Sequence, residues 1–189
     1  IIATVLSVDN ENEYDVLSLN AASLGLQLAG VPLDSPVGAV RMSLINDNWV
    51  VQATNSEMEE SVFDMVIAGN LNENNDVDIV MVEAGATETA FDKIDSGSAT
   101  PTEDLVADGI DKSKEYISEL IKAQAELVSQ NEVPDVDWPM IEDFTPELLS
   151  DLESSFKSEI ETITALTDRK ERSSKQSELE TSAVEKYLN

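Results

Sequence analysis

Any chemistry in this chain falls to carboxylates. The 189 residues include no Cys and no His, against 39 Asp and Glu. A thiolate nucleophile, a disulfide, a Cys/His metal site and a Ser-His-Asp triad are therefore excluded. Carboxylates can still hold a hard divalent cation through oxygen. Glu57, Glu59, Glu60 and Asp64 sit close together before and within a strand-like run and are the first candidates. In a chain this acidic, such spacing reads first as a solvated turn entering a strand. Asp76 and Asp78, at a loop–strand junction, read the same way. The run NLNENND at 70–76 lacks the central Gly and closing Glu of a calcium loop, so that reading is rejected.

Basic residues are few enough to name. Arg41 and Lys93 are the only two among residues 1–100, which hold 17 acids. Arg41 is expected to pair with a carboxylate rather than reach an anionic ligand. Arg169, Lys170 and Arg172 stand in the first turn of a helix, where the helix dipole prefers acids; a solvated face or a partner role would explain them. Trp49 and Trp138 have no basic neighbours in sequence, which argues against base stacking. The formal net charge of −28 repels phosphate backbones and anionic membrane surfaces alike. No apolar run approaches the ~18 residues of a membrane span, and no basic leader precedes an apolar stretch. The chain opens with Ile1 inside a strand-like run, which reads as a cut within a longer protein.

These side chains must be positioned by an α+β framework. Residues 1–8 (IIATVLSV) read as a buried strand. Residues 15–29 read as a helix with Asp15 as N-cap and Gly30 and Pro32 as its stop. Its Leu and Ala residues point nearly all round, so it is expected between two layers. Residues 37–45 and 49–53 read as a hairpin about Asn46-Asp47-Asn48, and Gly38 marks close backbone packing. Residues 61–68 and 77–83 read as a second pair. The order β-α-β-β-β-β implies a mixed or antiparallel sheet. Beyond Gly85 the pattern turns helical: residues 87–94, then a long helix with Thr100 as cap and Pro101 in its first turn, striped by Ile110, Ile117, Leu120, Ile121, Leu127 and Val128. Two prolines, Pro134 and Pro139, mark a linker over 131–144. Thr145-Pro146-Glu147 opens a further helix and residues 168–188 form the last.

Taken in order, the segments IIATVLSVDNENEYDVLSLNAAS, SPVGAVRMSLI, EMEESVFDMVIAG and DIVMVEAGA resemble the C-terminal half of the first core of bacterial polynucleotide phosphorylase. PTEDLVADGIDKSKEYISELIKAQAEL resembles the helix that leaves that core. DFTPELLSDLESS and DRKERSSKQSELETSAVEKYL resemble the all-helical domain that follows. VFDMVIAG and VADGIDKSK look most like the actinobacterial branch, whose members are also called guanosine pentaphosphate synthetase. The resemblance implies a ribonuclease PH-like βα-sandwich half (of the ribosomal protein S5 domain 2-like type) over 1–130, a linker over 131–144 and a partial all-α domain over 145–189.

The resemblance also implies a function for the parent protein. The family degrades RNA 3′→5′ by phosphorolysis, releasing nucleoside diphosphates in mRNA turnover. It works as a cytoplasmic homotrimer with Mg²⁺ or Mn²⁺. The present stretch is then a scaffold and trimer-interface piece that holds no metal, partners the missing parts of the parent chain, meets RNA only through domains it lacks, and has no membrane role. In the family's active core the equivalent strand carries two Asp and a Lys. Laid onto this sequence they fall on Met58, Asp64 and Val66, so only one of the three groups is kept and Asp64 is expected to be vestigial. Two alternatives stay open: a stand-alone acidic interaction module, and a parent that makes guanosine pentaphosphate.

Overall fold

The computed structural model describes residues 1–139 and 143–188. The chain divides into two compact units, Ile1–Trp138 and Pro139–Asn189. Residues 140–142, within the expected 131–144 linker, lie outside the described residues, whereas 131–138 belong to the first unit.

The first unit is built on α1 (Asp15–Leu28), β1 (Val37–Ile45), β2 (Asn48–Val51), α2 (Asn55–Met58), β3 (Ser61–Leu71), β4 (Val77–Ala86), α3 (Ala90–Asp95) and α4 (Glu103–Ser129). The four strands form one antiparallel sheet in the order β2-β1-β3-β4. Asn46 and Asp47 both take positive φ, giving the two-residue turn whose twist matches that of the flanking strands. The β3–β4 loop is organised by Asn72, whose side-chain oxygen accepts from the amides of Asn74 (2.9 Å) and Asp76 (3.0 Å).

Alternate residues of the strands serve different layers. One face carries Val40, Met42, Met65 and Ile67 against Ile117 and Ile121 of α4. The helix lies close to the sheet because glycine lets it: a Cβ on Gly38 would stand 2.8 Å from the Ile117 carbonyl oxygen, and one on Gly109 would stand 2.5 Å from the Trp49 ring. The opposite face carries Ala39, Val66 and Ala68 against Val16 of α1. There α1 is fixed by polar bonds. Asn20 donates to the Ala39 carbonyl (2.8 Å) and accepts from the Ala39 amide (3.0 Å). Buried Ser23 donates to Gln124 of α4 (2.9 Å) and accepts from the Val37 amide (2.9 Å), while Gln124 donates to the Val37 carbonyl (2.9 Å).

Four sequence expectations are corrected. Residues 1–8 are not a strand; all eight are exposed, because no strand of the described chain pairs with them and β-branched residues alone do not supply ladder hydrogen bonds. The order is therefore α-β-β-α-β-β. Among the described residues helix α1 packs on one layer of regular structure, with residues 1–7 lining a groove along its outer face, and Leu17 is 67% exposed. Tyr14, not Asp15, occupies its N-cap position. The cap of α4 is Thr102, whose hydroxyl accepts from the Leu105 amide (3.3 Å), so Pro101 precedes the helix.

The second unit pairs α5 (Pro146–Thr164) with α6 (Arg169–Leu188). Thr145 caps α5 and Pro146 fills its first turn, as the sequence pattern predicts. The helices are antiparallel: near the start of α5, Asp151 accepts from the Tyr187 hydroxyl (2.6 Å) and Ser155 accepts from Lys186 (2.6 Å). At the other end Arg172 donates to the Leu166 carbonyl (2.7 Å). Among the described residues no helix is long and apolar enough to cross a membrane.

Candidate functional site

Where α1 leaves the sheet uncovered, its face becomes charged. Arg41 on β1 stands opposite Val66 of β3, and Asp64 of β3 stands opposite Ser43 of β1. Strand alternation puts Arg41, Ser43, Asp64 and Val66 on one face. The Arg41 guanidinium bridges two acids: one terminal nitrogen donates to Asp15 at the start of α1 (2.5 Å) and the other to Asp64. Glu83 and Gly85 of β4 line the same shallow depression.

The depression is half-dry. The side chains of Arg41 and Asp64 are 16% and 21% exposed, and the buried Arg41 Nε has no hydrogen-bond partner. Burial works against the guanidinium charge, but the hydrogen bond and proximity of Asp15, and then of Asp64, outweigh it and hold Arg41 above its ordinary pKa. The strand itself is pinned at this residue, since Arg41 N–H donates to the Gln52 side chain (2.9 Å) and its carbonyl accepts from Gln52 N–H (2.9 Å). The pairing of Arg41 with a carboxylate, expected from its isolation among acids, is what the structure has.

The other sequence candidates fall into two groups. Asp64 and Val66 line the depression, and Met58 touches the strand residue opposite Asp64. The Met58 sulfur accepts from the Ser43 hydroxyl (2.8 Å), directly across the ladder from Asp64, and Val66 is buried against Val16 and Ala39. The remaining acids have local duties. Glu57 forms a capping box with Thr54 at α2, and the hydrogen bonds from Thr54 hold its carboxyl below the usual range. The Glu59 carbonyl accepts from Lys93. Asp78 accepts from Asn72 (3.1 Å). Among the described residues no group of three or more acidic side chains is placed to hold a metal ion. Sequence reasoning missed Asp15 and Glu83 as members of the depression, because tertiary packing alone brings them to Asp64. Trp49 is structural: its indole N–H donates to the Leu105 carbonyl (3.2 Å).

The fold defines a class. Residues 35–95, from just before β1 through α3, match the 3′ exoribonuclease family, domain 2. The crystal structure of Rrp46 from rice (Oryza sativa) superposes with a TM-score of 0.51 over 65% of this chain and 51% of that one, at 12% identity, so the likeness is one of fold. The unit is thus an α+β ribonuclease PH-like domain.

Closer relatives are named polyribonucleotide nucleotidyltransferase. That of Nocardioides sp. is 40% identical over 98% of this chain, that of Streptomyces avermitilis 39% over 100%, and that of Streptomyces coelicolor 38% over 100%. The chain is similar to these proteins over nearly its whole length and spans about a quarter of theirs, 25%, 26% and 25% respectively.

Proposed function

We propose that this chain is a catalytically silent scaffold segment of a polynucleotide phosphorylase. The parent degrades RNA 3′→5′ by phosphorolysis, releasing nucleoside diphosphates during mRNA turnover. Its activity depends on Mg²⁺ or Mn²⁺, and it works in the cytoplasm as a homotrimer. Residues 1–130 are the C-terminal part of its first core and residues 145–189 begin its all-α domain; the trimer-interface role belongs with the core part.

The observation that carries silence is the Arg41 bridge. A phosphoryl-transfer site needs a cation held by several oxygens and a positive group near the transferring phosphate. Here the Asp64 carboxylate already faces a guanidinium, Met58 offers only a soft thioether, and Val66 offers no ligand. This donor set does not fit a hard divalent ion. What the residues do is structural: Arg41 neutralises two acids and ties the start of α1 to β3.

The test is phosphate-dependent release of nucleoside diphosphate from poly(A) by this chain in Mg²⁺. The expected rate equals that of a protein-free control. Turnover above that control, abolished by Asp64→Asn, would overturn the proposal.

A further inference from the structure

The stretch after α4 reads as a linker in the sequence, but the structure holds it against the first unit. Asn131 closes α4, its side chain donating to the Leu127 carbonyl (2.7 Å). Residues 132–138 then form no helix or strand, yet they belong to the first compact unit. Val133, Val136 and Trp138 are 40%, 43% and 42% exposed, so each hides more than half of its surface. A chain free in water would not hide them.

The contacts converge on Gly30, just past the end of α1. Gly30 has a positive φ of 69°. Its amide donates to the Gln27 carbonyl (3.1 Å) and the Val31 amide donates to the Leu26 carbonyl (3.0 Å), the glycine stop of a helix. The Gly30 carbonyl accepts from the Trp138 indole N–H (2.7 Å), a contact between residues 108 positions apart. The Pro134 carbonyl lies so close to Gly30 that a Cβ there would overlap its oxygen. Glycine is therefore required twice, by the backbone angle and by the strap that crosses it. Gly25, in the same helix, has no such neighbour: a Cβ on it would meet nothing within 4 Å.

We infer that residues 131–138 are a latched strap: Pro134 and Trp138 clamp Gly30 at the end of α1, and the clamp sets the tether to the second unit. Latched, only residues 139–144 remain before the Thr145 cap of α5, and fully extended they reach at most ~22 Å. Released, residues 131–144 reach at most ~50 Å. The device is built to open. It rests on one hydrogen bond and a half-hidden indole, far less than holds the sheet, so the strap can lift while the core stays folded. Pro134 fixes its own φ and lowers the entropy lost on closing.

Trp49 and Trp138 are the only tryptophans, so NMR of the full chain shows two indole N–H signals, and Trp49 serves as the internal reference for an intact core. The Trp138 indole is expected to exchange with water roughly tenfold more slowly than in a peptide of residues 131–144. Thermolysin, which cuts before Val136, reads the same opening. Gly30→Asn tolerates the positive φ but adds the Cβ; it brings exchange to the peptide's rate and speeds the cut roughly tenfold, with the Trp49 signal unmoved. Trp138→Phe keeps a ring without the donor and speeds the cut several-fold. Gly25→Ala changes neither reading. Exchange of Trp138 at the peptide's rate in the unsubstituted chain overturns the inference, as does a folded Gly30→Asn chain whose strap stays protected. If Gly30→Asn unfolds the chain, an unchanged cut in Trp138→Phe overturns it alone.

Discussion

The two faces of the β2-β1-β3-β4 sheet are made by the same strands and differ in what covers them. The α4 face is closed. Met42, Met65, Ile67 and Ile117 are each at most 1% exposed, and the helix rides on glycine where it touches the sheet. The α1 face is closed only over Ala39, Val66 and Ala68, and beyond them it turns into a charged depression. The lesson is one of division of labour. The sheet draws its stability from one face, which leaves the other free to carry polar groups whose arrangement is set by hydrogen bonds and ion pairs.

That contrast is most easily broken from the closed side. Ile117→Ala empties a fully buried position, and we expect a loss of about 2–5 kcal/mol. The matching truncation on the open side, Leu17→Ala, removes an exposed side chain and should stay within about 0.5 kcal/mol. Urea unfolding of both variants measures the difference. Equal losses would mean that α1 carries as much core as α4.

The charged depression gives an intermediate effect. Arg41→Ala leaves Asp15 and Asp64 facing each other with no counter-charge, and a cost of about 1–3 kcal/mol is expected for a partly buried pair. Arg41→Met keeps the volume and should cost no less at neutral pH, since both acids remain. A neutral outcome for Arg41→Ala would show that the bridge is ornamental.

The smallest effect belongs to the segment before α1. Asp9 accepts from the amides of Asn12 (2.8 Å) and Glu11 (2.9 Å) and from the Asn12 side chain (2.6 Å). Those bonds, with the Asn12 amide first, lower its pKa to about 2 from the ordinary 3.8. A depressed carboxyl stabilises the folded chain above its unfolded pKa, and that contribution fades as pH drops from about 4 to about 2. Titration of the Asp9 carboxyl by carbon-detected NMR should give a midpoint near that value. A midpoint near 4 would dismiss the local turn.

Much of this contrast was legible in the amino-acid order. Alternating apolar runs fixed both hairpins, and the period of Ile110, Ile117 and Ile121 placed α4 on the sheet. Arg41 stood out as an isolated base that needed a carboxylate partner. The failures have a common cause. Residues 1–8 have the composition of a strand, but a strand exists only with a partner backbone, and composition says nothing of that. Asn20, Ser23 and Gln124 look like solvent-facing helix residues because periodicity marks apolar positions only. Asp15 and Glu83 are 49 and 19 residues from Asp64 in sequence, a separation no local spacing rule spans.

The buried Ser23–Gln124 bond joins residues 101 positions apart, and this imposes a timetable. On a ribosome adding ~5–20 residues per second, Ser23 is made roughly 5–20 s before its partner exists. During that interval the first amide of β1, which bonds to Ser23, and its carbonyl, which bonds to Gln124, cannot both be satisfied. Helix α1 can touch the nascent sheet but cannot be locked in register until α4 has been synthesised and laid down. The earliest element of the chain is thus among the last to become fixed, and a nascent chain halted before Gln124 should hold its sheet while leaving α1 loose.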